Sequence, residues 1–179
     1  MTDDEQGEIR LSLQGDHEAF ESLVRRYQRM IYALTYRMSG STADAEDLTQ
    51  ETFIRAHQQL AAFRSDAKFS SWLYRIAVNH CLNWQQRSAR REQVHAEWSK
   101  GQAHNSDSDQ KLSSRVQEAL LQLDPKQRAA VVLTTYDGLN HAEAARVLGC
   151  SETTVSWRLF VSRRKLKGLL QKSEGASDE

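Results

Sequence analysis

The chain is predicted to be all-α: two small helical domains joined by a flexible linker, with the C-terminal domain a helix-turn-helix. Three observations carry this prediction. Only 1 proline and 8 glycines interrupt 179 residues. Apolar residues recur at three- and four-residue steps, with no alternating run bounded by turn residues that would make a strand. Between two such periodic stretches, Ser99 to Lys111 is polar and has almost nothing to bury, which suits a linker. The expected bounds are 8–95 for the first domain, 96–112 for the linker and 113–171 for the second.

The first helix is read from Ala19, Phe20, Leu23, Val24, Tyr27, Met30, Ile31, Leu34 and Met38 on one face, with Arg25, Arg26, Gln28 and Arg29 opposite. Gly40 suits its C-cap. A second helix starts near Thr42 or Asp44 and buries Ala45, Leu48, Phe53 or Thr52, Ala56 and Leu60; acids in its first turn suit the positive end of the helix dipole. Ser65-Asp66 form a turn, and Ser70 or Ser71 caps a third helix from Trp72 to about Arg91. Its apolar face is Leu73, Ile76, Ala77, His80 or Cys81, and Trp84, while Arg75, Asn79, Asn83, Arg87, Arg90 and Arg91 face away.

Beyond the linker, Val116, Leu120, Leu121 and Leu123 resume helical spacing. Asp124 caps and Pro125 opens a helix that runs through Tyr136 and stops at Asp137-Gly138. Asn140 and Glu143 fit a capping box for a short helix carrying Ala144, Ala145, Val147 and Leu148. Gly149-Cys150 makes the turn, and Ser151 caps a last helix from Glu152 to about Leu170, leaving a disordered tail from Ser173.

The formal net charge is zero, but the charges are segregated. Met1 to Leu60 holds 11 acids against 6 bases, a local charge of −5, whereas Ser151 to Lys172 holds 6 bases against Glu152 alone, a local charge of +5. That division fits one face for a protein partner and another for nucleic acid. Cys81 and Cys150 have no partner spacing for zinc or a disulfide framework, and His17-Glu18, His80-Cys81 and His141-x-Glu143 match no catalytic or metal pattern. No Gly-rich phosphate loop is present, so no catalytic residue, cofactor or metal is expected. No stretch approaches the roughly 20 apolar residues of a membrane span, and the N-terminus carries no apolar signal region, so the expected location is the cytoplasm without membrane insertion.

Three constellations carry function. Small Ala144 and Ala145, the Gly149 turn, and anchors Val155 and Leu159 match a DNA-binding helix-turn-helix, with Ser156, Trp157, Phe160, Arg163, Arg164 and Lys167 on or near an exposed face where a stable surface needs no aromatics. Asp47, Gln50 and Glu51 share one helix face as a polar, acidic patch, which alone is an ordinary solvated face. Phe63, Phe69, Trp72 and Tyr74 interleave with Arg64, Lys68 and Arg75, which describes either core or a surface on which unpaired bases stack.

Together these stretches resemble the extracytoplasmic-function class of bacterial RNA polymerase sigma factors, of the sigma-70 family, over nearly the whole chain. The resemblance implies that the first domain is sigma region 2, which binds core RNA polymerase through Asp47, Gln50 and Glu51. It implies a loop of Arg64, Ser65, Asp66, Lys68 and Phe69 that captures a flipped base of the −10 element, with Trp72, Arg75, Asn79, Asn83 and Arg87 also at −10 DNA. It implies that the second domain is region 4, whose last helix enters the −35 element with Thr154, Ser156, Trp157, Phe160 and Arg163, while Arg158, Arg164 and Lys167 are available to phosphates. The partners it implies are core polymerase, promoter DNA as duplex and melted strand, and an anti-sigma factor. A stand-alone helix-turn-helix regulator and an adaptor without DNA binding are the rival readings.

Overall fold

The computed structural model describes residues 3–64, 68–95 and 108–175, and among these it contains helices and no strand. The chain opens with a helix that its sequence pattern did not announce, α1 (Asp3–Leu13). Ile9 enters the core, while Glu5 accepts the Tyr27 hydroxyl, Ser22 donates to Glu8 at 2.6 Å and Arg26 pairs with Glu8 at 2.7 Å. Polar contacts rather than an apolar stripe dock α1, so no periodicity revealed it.

Helix α2 (His17–Ser39) starts where the Asp16 carboxylate accepts from the Ala19 N–H at 3.1 Å, and it buries Ala19, Leu23, Ile31, Leu34 and Met38 as the 3.6-residue period requires. Gly40 ends it at φ 77°, and a Cβ there would collide with Leu121, so this position needs glycine for both conformation and space. Ser41 caps α3 (Thr42–Gln58), in which both Thr52 and Phe53 are buried; Thr52 satisfies its hydroxyl on the Leu48 carbonyl at 2.7 Å.

Helix α4 (Phe69–His95) begins earlier and ends later than expected. The Lys68 carbonyl receives the N–H groups of Ser71 and Trp72 at 3.0 and 3.2 Å, so Ser70 and Ser71 lie inside the first turn and do not cap it. Cys81 faces the core fully buried, and burial pushes its thiol up to about 12, while His80 is half-buried.

Helix α5 (Ser108–Leu121) takes up the last residues of the expected linker, the rest of which, 96–107, lies outside the described residues. Asp124 caps α6 (Pro125–Val131), which then widens into a π-helical turn, Val132–Tyr136, instead of running on as α-helix. The capping box of α7 (His141–Leu148) is complete, with Glu143 N–H on Asn140 at 2.9 Å and Asn140 N–H on Glu143 at 3.1 Å. Gly149 turns the chain at φ 60°, and α8 (Glu152–Gly175) runs past the expected end at Leu170 into the expected tail, of which 176–179 lie outside the described residues.

Leu23, Leu34, Leu48, Leu73 and Val78 from the first half and Leu120, Val132, Leu133, Val155 and Leu159 from the second belong to a single buried cluster. The halves meet where α5 and α6 dock on the C-terminal end of α2, and where α7 lies against α4. Arg128 is 6% exposed and donates to the carbonyls of Leu120, Leu121, Leu123 and Met38, the last across the two halves. Gln117 reaches the Tyr36 and Arg37 carbonyls at 3.3 Å, and the Arg37 guanidinium lies 4.3 Å from the centre of the Tyr136 ring.

Candidate nucleic-acid interface

On α8, Ser156, Phe160, Arg163, Arg164 and Lys167 follow one another at three- and four-residue steps and are all exposed. Trp157 is 60% and Phe160 67% exposed, far above what side chains of this size show without a partner. Val155, Leu159 and Ser162 form the opposite, buried face, so the core fixes which way the helix presents its cations. Thr154 is half-buried and tied to the cap, its hydroxyl 2.8 Å from that of Ser151. Arg158 turns toward the fold, with Nη1 donating to Cys150 Sγ at 3.5 Å, and thus lies off the exposed stripe. Ser156 meets His141 Nδ1 at 3.0 Å, a tie between the two helices of the helix-turn-helix.

On α4, Arg75, Asn79, Asn83 and Arg87 stand at i, i+4, i+8 and i+12, all exposed on one stripe. A pocket of about 280 Å³ between α3 and α4 adds Arg55, Gln59 and His80 to Trp72, Arg75, Asn79 and Asn83. These three were not singled out from sequence, because α3 reads there as an ordinary polar helix face and only packing brings it beside α4. Burial, reinforced by the nearby Arg55 guanidinium, lowers the His80 pKa, which favours the neutral imidazole.

The loop ahead of α4 differs from expectation. Phe69 is 1% exposed, packed among the rings of Tyr27, Phe63 and Trp72 with centroids 5.3–5.5 Å apart, so it is a core residue and not a free stacking ring. Phe63 and Tyr74 are buried likewise, and Trp72 is half-buried. Ser65 and Asp66 lie outside the described residues. Arg64 and Lys68 are exposed at the loop's ends, and Lys68 Nζ lies 3.0 Å from Glu143 Oε1 of α7. Lys68, and after it the Asn140 N–H, hold the Glu143 carboxyl below the usual carboxylate range.

On α3, Asp47 and Gln50 are exposed and Glu51 is half-exposed, paired with Arg55 at 2.9 Å. Beside them lies an apolar groove of about 730 Å³ between α2 and α3, lined by Phe20, Val24, Tyr32, Phe53, Ile54 and His57 together with Glu46 and Gln50. Ile54 is 44% exposed there, a large aliphatic side chain left uncovered.

Comparison with known proteins gives this arrangement its family. Residues 23–91 match the family described as Sigma-70 region 2, and residues 113–166 match Sigma-70, region 4. The chain is similar to the ECF RNA polymerase sigma factor SigM of Mycobacterium tuberculosis, 37% identical over 156 residues that cover 87% of this chain and 79% of that protein. Among solved structures it is similar to CnrH in complex with the cytosolic domain of CnrY, with a TM-score of 0.70, 30% identity and coverage of 95% and 99%. It also shares the fold of RpoE in complex with the anti-sigma factor NepR from Bartonella quintana, with a TM-score of 0.71, 24% identity and coverage of 85% and 96%.

The chain belongs to the extracytoplasmic-function sigma factors of the sigma-70 family. It is an alternative sigma factor that directs promoter-specific transcription by RNA polymerase, and the region 2 match to its N-terminal half disfavours a stand-alone helix-turn-helix regulator. Among the described residues, no helix is long and apolar enough to cross a membrane.

Proposed function

We propose that the α4 stripe of Arg75, Asn79, Asn83 and Arg87 engages −10 DNA, with Arg64, Lys68 and Trp72 at its edge, while α8 reads the −35 element through Ser156, Trp157, Phe160 and Arg163. Arg164 and Lys167 grip phosphates, which position the helix without reading sequence. The observation that carries the proposal is the pairing of two exposed cationic, aromatic-edged helix faces, one in each half of the chain, each backed by buried residues that fix its direction. Strand opening then draws on binding energy, since unpaired bases held at region 2 replace the stacking given up in the duplex.

Asp47, Gln50 and Glu51 contact core polymerase, and the uncovered groove between α2 and α3 beside Gln50 gives that protein contact an apolar component. The solved relative bound to an anti-sigma factor supports the same kind of partner for this chain, and its site of action is the cytoplasm. The test is run-off transcription with purified core polymerase on a genomic promoter library. Specific initiation that depends on both stripes is expected; duplex binding by the free chain with no initiation by its holoenzyme would overturn the reading.

A further inference from the structure

The ion pair between Lys68 and Glu143 joins residues 75 positions apart, one at the start of α4 and the other in the capping box of α7. It closes one side of a cleft lined by Lys68, Ser71, Trp72 and Arg75 from the first half and Glu143, Arg146 and Val147 from the second. The first four belong to, or adjoin, the surface assigned above to −10 DNA. An anionic oxygen 3.0 Å from Lys68 Nζ is what a promoter phosphate would offer, and here a carboxylate of the same chain supplies it.

We infer that Glu143 acts as an internal substitute for a −10 phosphate, latching the C-terminal half of the free protein over the −10-reading surface. The inference rests on the −10 reading of Lys68. α7 is held in place by the contacts of Arg128 with Met38 and of Arg37 with Tyr136. The latch is selective. Trp157 and Phe160 of α8 remain 60% and 67% exposed, so the closed chain presents its −35 face while its −10 face is covered. Because the Lys68 side chain is still 67% exposed, the pair biases the equilibrium and does not lock it. DNA or polymerase that engages the two halves separately then opens the chain by mass action.

Glu143→Gln tests this, because the remaining amide oxygen can still accept the Asn140 N–H that the capping box needs. Full-length protein is assayed free and on core polymerase, against a promoter fragment pre-melted at −10. Fluorescence transfer between labels at positions 21 and 171, in a Cys150→Ser background, reports the separation of the halves. In the free protein the variant should bind the fragment about two- to fivefold more tightly, as expected for removal of an exposed pair, and show lower transfer. On the holoenzyme, where the halves are already apart, the gain should vanish. Unchanged affinity and transfer, while Lys68→Ala still weakens holoenzyme binding, would overturn the latch and leave the Lys68 reading standing. An equal gain in free protein and holoenzyme would assign Glu143 a general repulsion of DNA and also overturn the latch. Lys68→Ala without effect on the holoenzyme would remove the Lys68 reading and the latch with it.

Discussion

Arg128 of α6 donates Nη1 to the carbonyl of Met38 in the last turn of α2, and so satisfies a buried helix end of one half with a side chain from the other. No carboxylate pairs with it among the described residues; burial lowers its pKa, and its charge is held by the carbonyls of Leu120, Leu121, Leu123 and Met38. The same carbonyl of Met38 also accepts from Gln85 Nε2 at 2.6 Å. The helix end that terminates at Gly40 is thus where region 4 docks on region 2.

Arg128→Met should therefore cost on the order of 3 kcal/mol, because buried carbonyls left without a donor cost about 1–3 kcal/mol each. Thermal denaturation of the full chain measures it. A drop of less than about 0.5 kcal/mol would show that water replaces the guanidinium at no cost.

Asp137 gives a pH dependence. Burial pushes its carboxyl up to about 6 against the opposing effects of Arg37 and a hydrogen bond from Tyr74, and its Oδ2 has no partner among the described residues. A carboxyl that binds its proton more tightly folded than unfolded, where its pKa is about 3.9, contributes stability below about pH 4 that is lost as pH rises through about 6. Asp137→Asn should match the wild type near pH 4 and exceed it by on the order of 2 kcal/mol at pH 8. Denaturant melts at both pH values give the comparison, and equal gains at both would refute a titration origin.

Phe69→Ala should destabilise the protein by about 3–5 kcal/mol, as truncation of a buried phenylalanine does. Any defect in strand opening by this variant would then follow from unfolding. Lys68→Ala, at an exposed position, should leave the melting temperature within about 2 °C while reducing permanganate reactivity of −10 thymines in the holoenzyme complex.

Alanine at Asp47, Gln50 and Glu51 together should move stability by no more than about 0.5 kcal/mol, since the Glu51–Arg55 pair it breaks is solvent-screened. Affinity for core polymerase should fall at least about tenfold, measured by competition with a labelled sigma factor; that is a drop of about 1.4 kcal/mol. Unaltered affinity would move the contact to the groove between α2 and α3.

Neutralising Arg164 or Lys167 should weaken −35 binding about equally on all sequences and lower the salt slope by roughly 0.9 for each phosphate no longer neutralised. Trp157 and Phe160 variants should instead change base preference by about 1–3 kcal/mol at single positions. A −35 library selected at two salt concentrations separates the outcomes. A shift of preference on changing Arg164 would mean a rotated helix.

The helices whose apolar stripe is continuous, and their caps, are legible in the residues alone. Gly40, Asp124, the Asn140–Glu143 box and Gly149 all act where local chemistry places them, because a cap depends on side chains within one helical turn. The exposed face of α8 is legible too, since the 3.6-residue period that buries Val155 and Leu159 turns Phe160 and Arg163 outward. Packing supplies what local pattern cannot hold. α1 docks through carboxylates rather than an apolar face, and Phe69 passes from loop to core because the rings of Tyr27, Phe63 and Trp72 surround it. Arg55 and Gln59 join the α4 pocket only when α3 packs beside α4, and Glu143 meets Lys68 only when region 4 closes on region 2. Such contacts link residues distant along the chain, where no helical period connects the partners and only the packed core sets their separation.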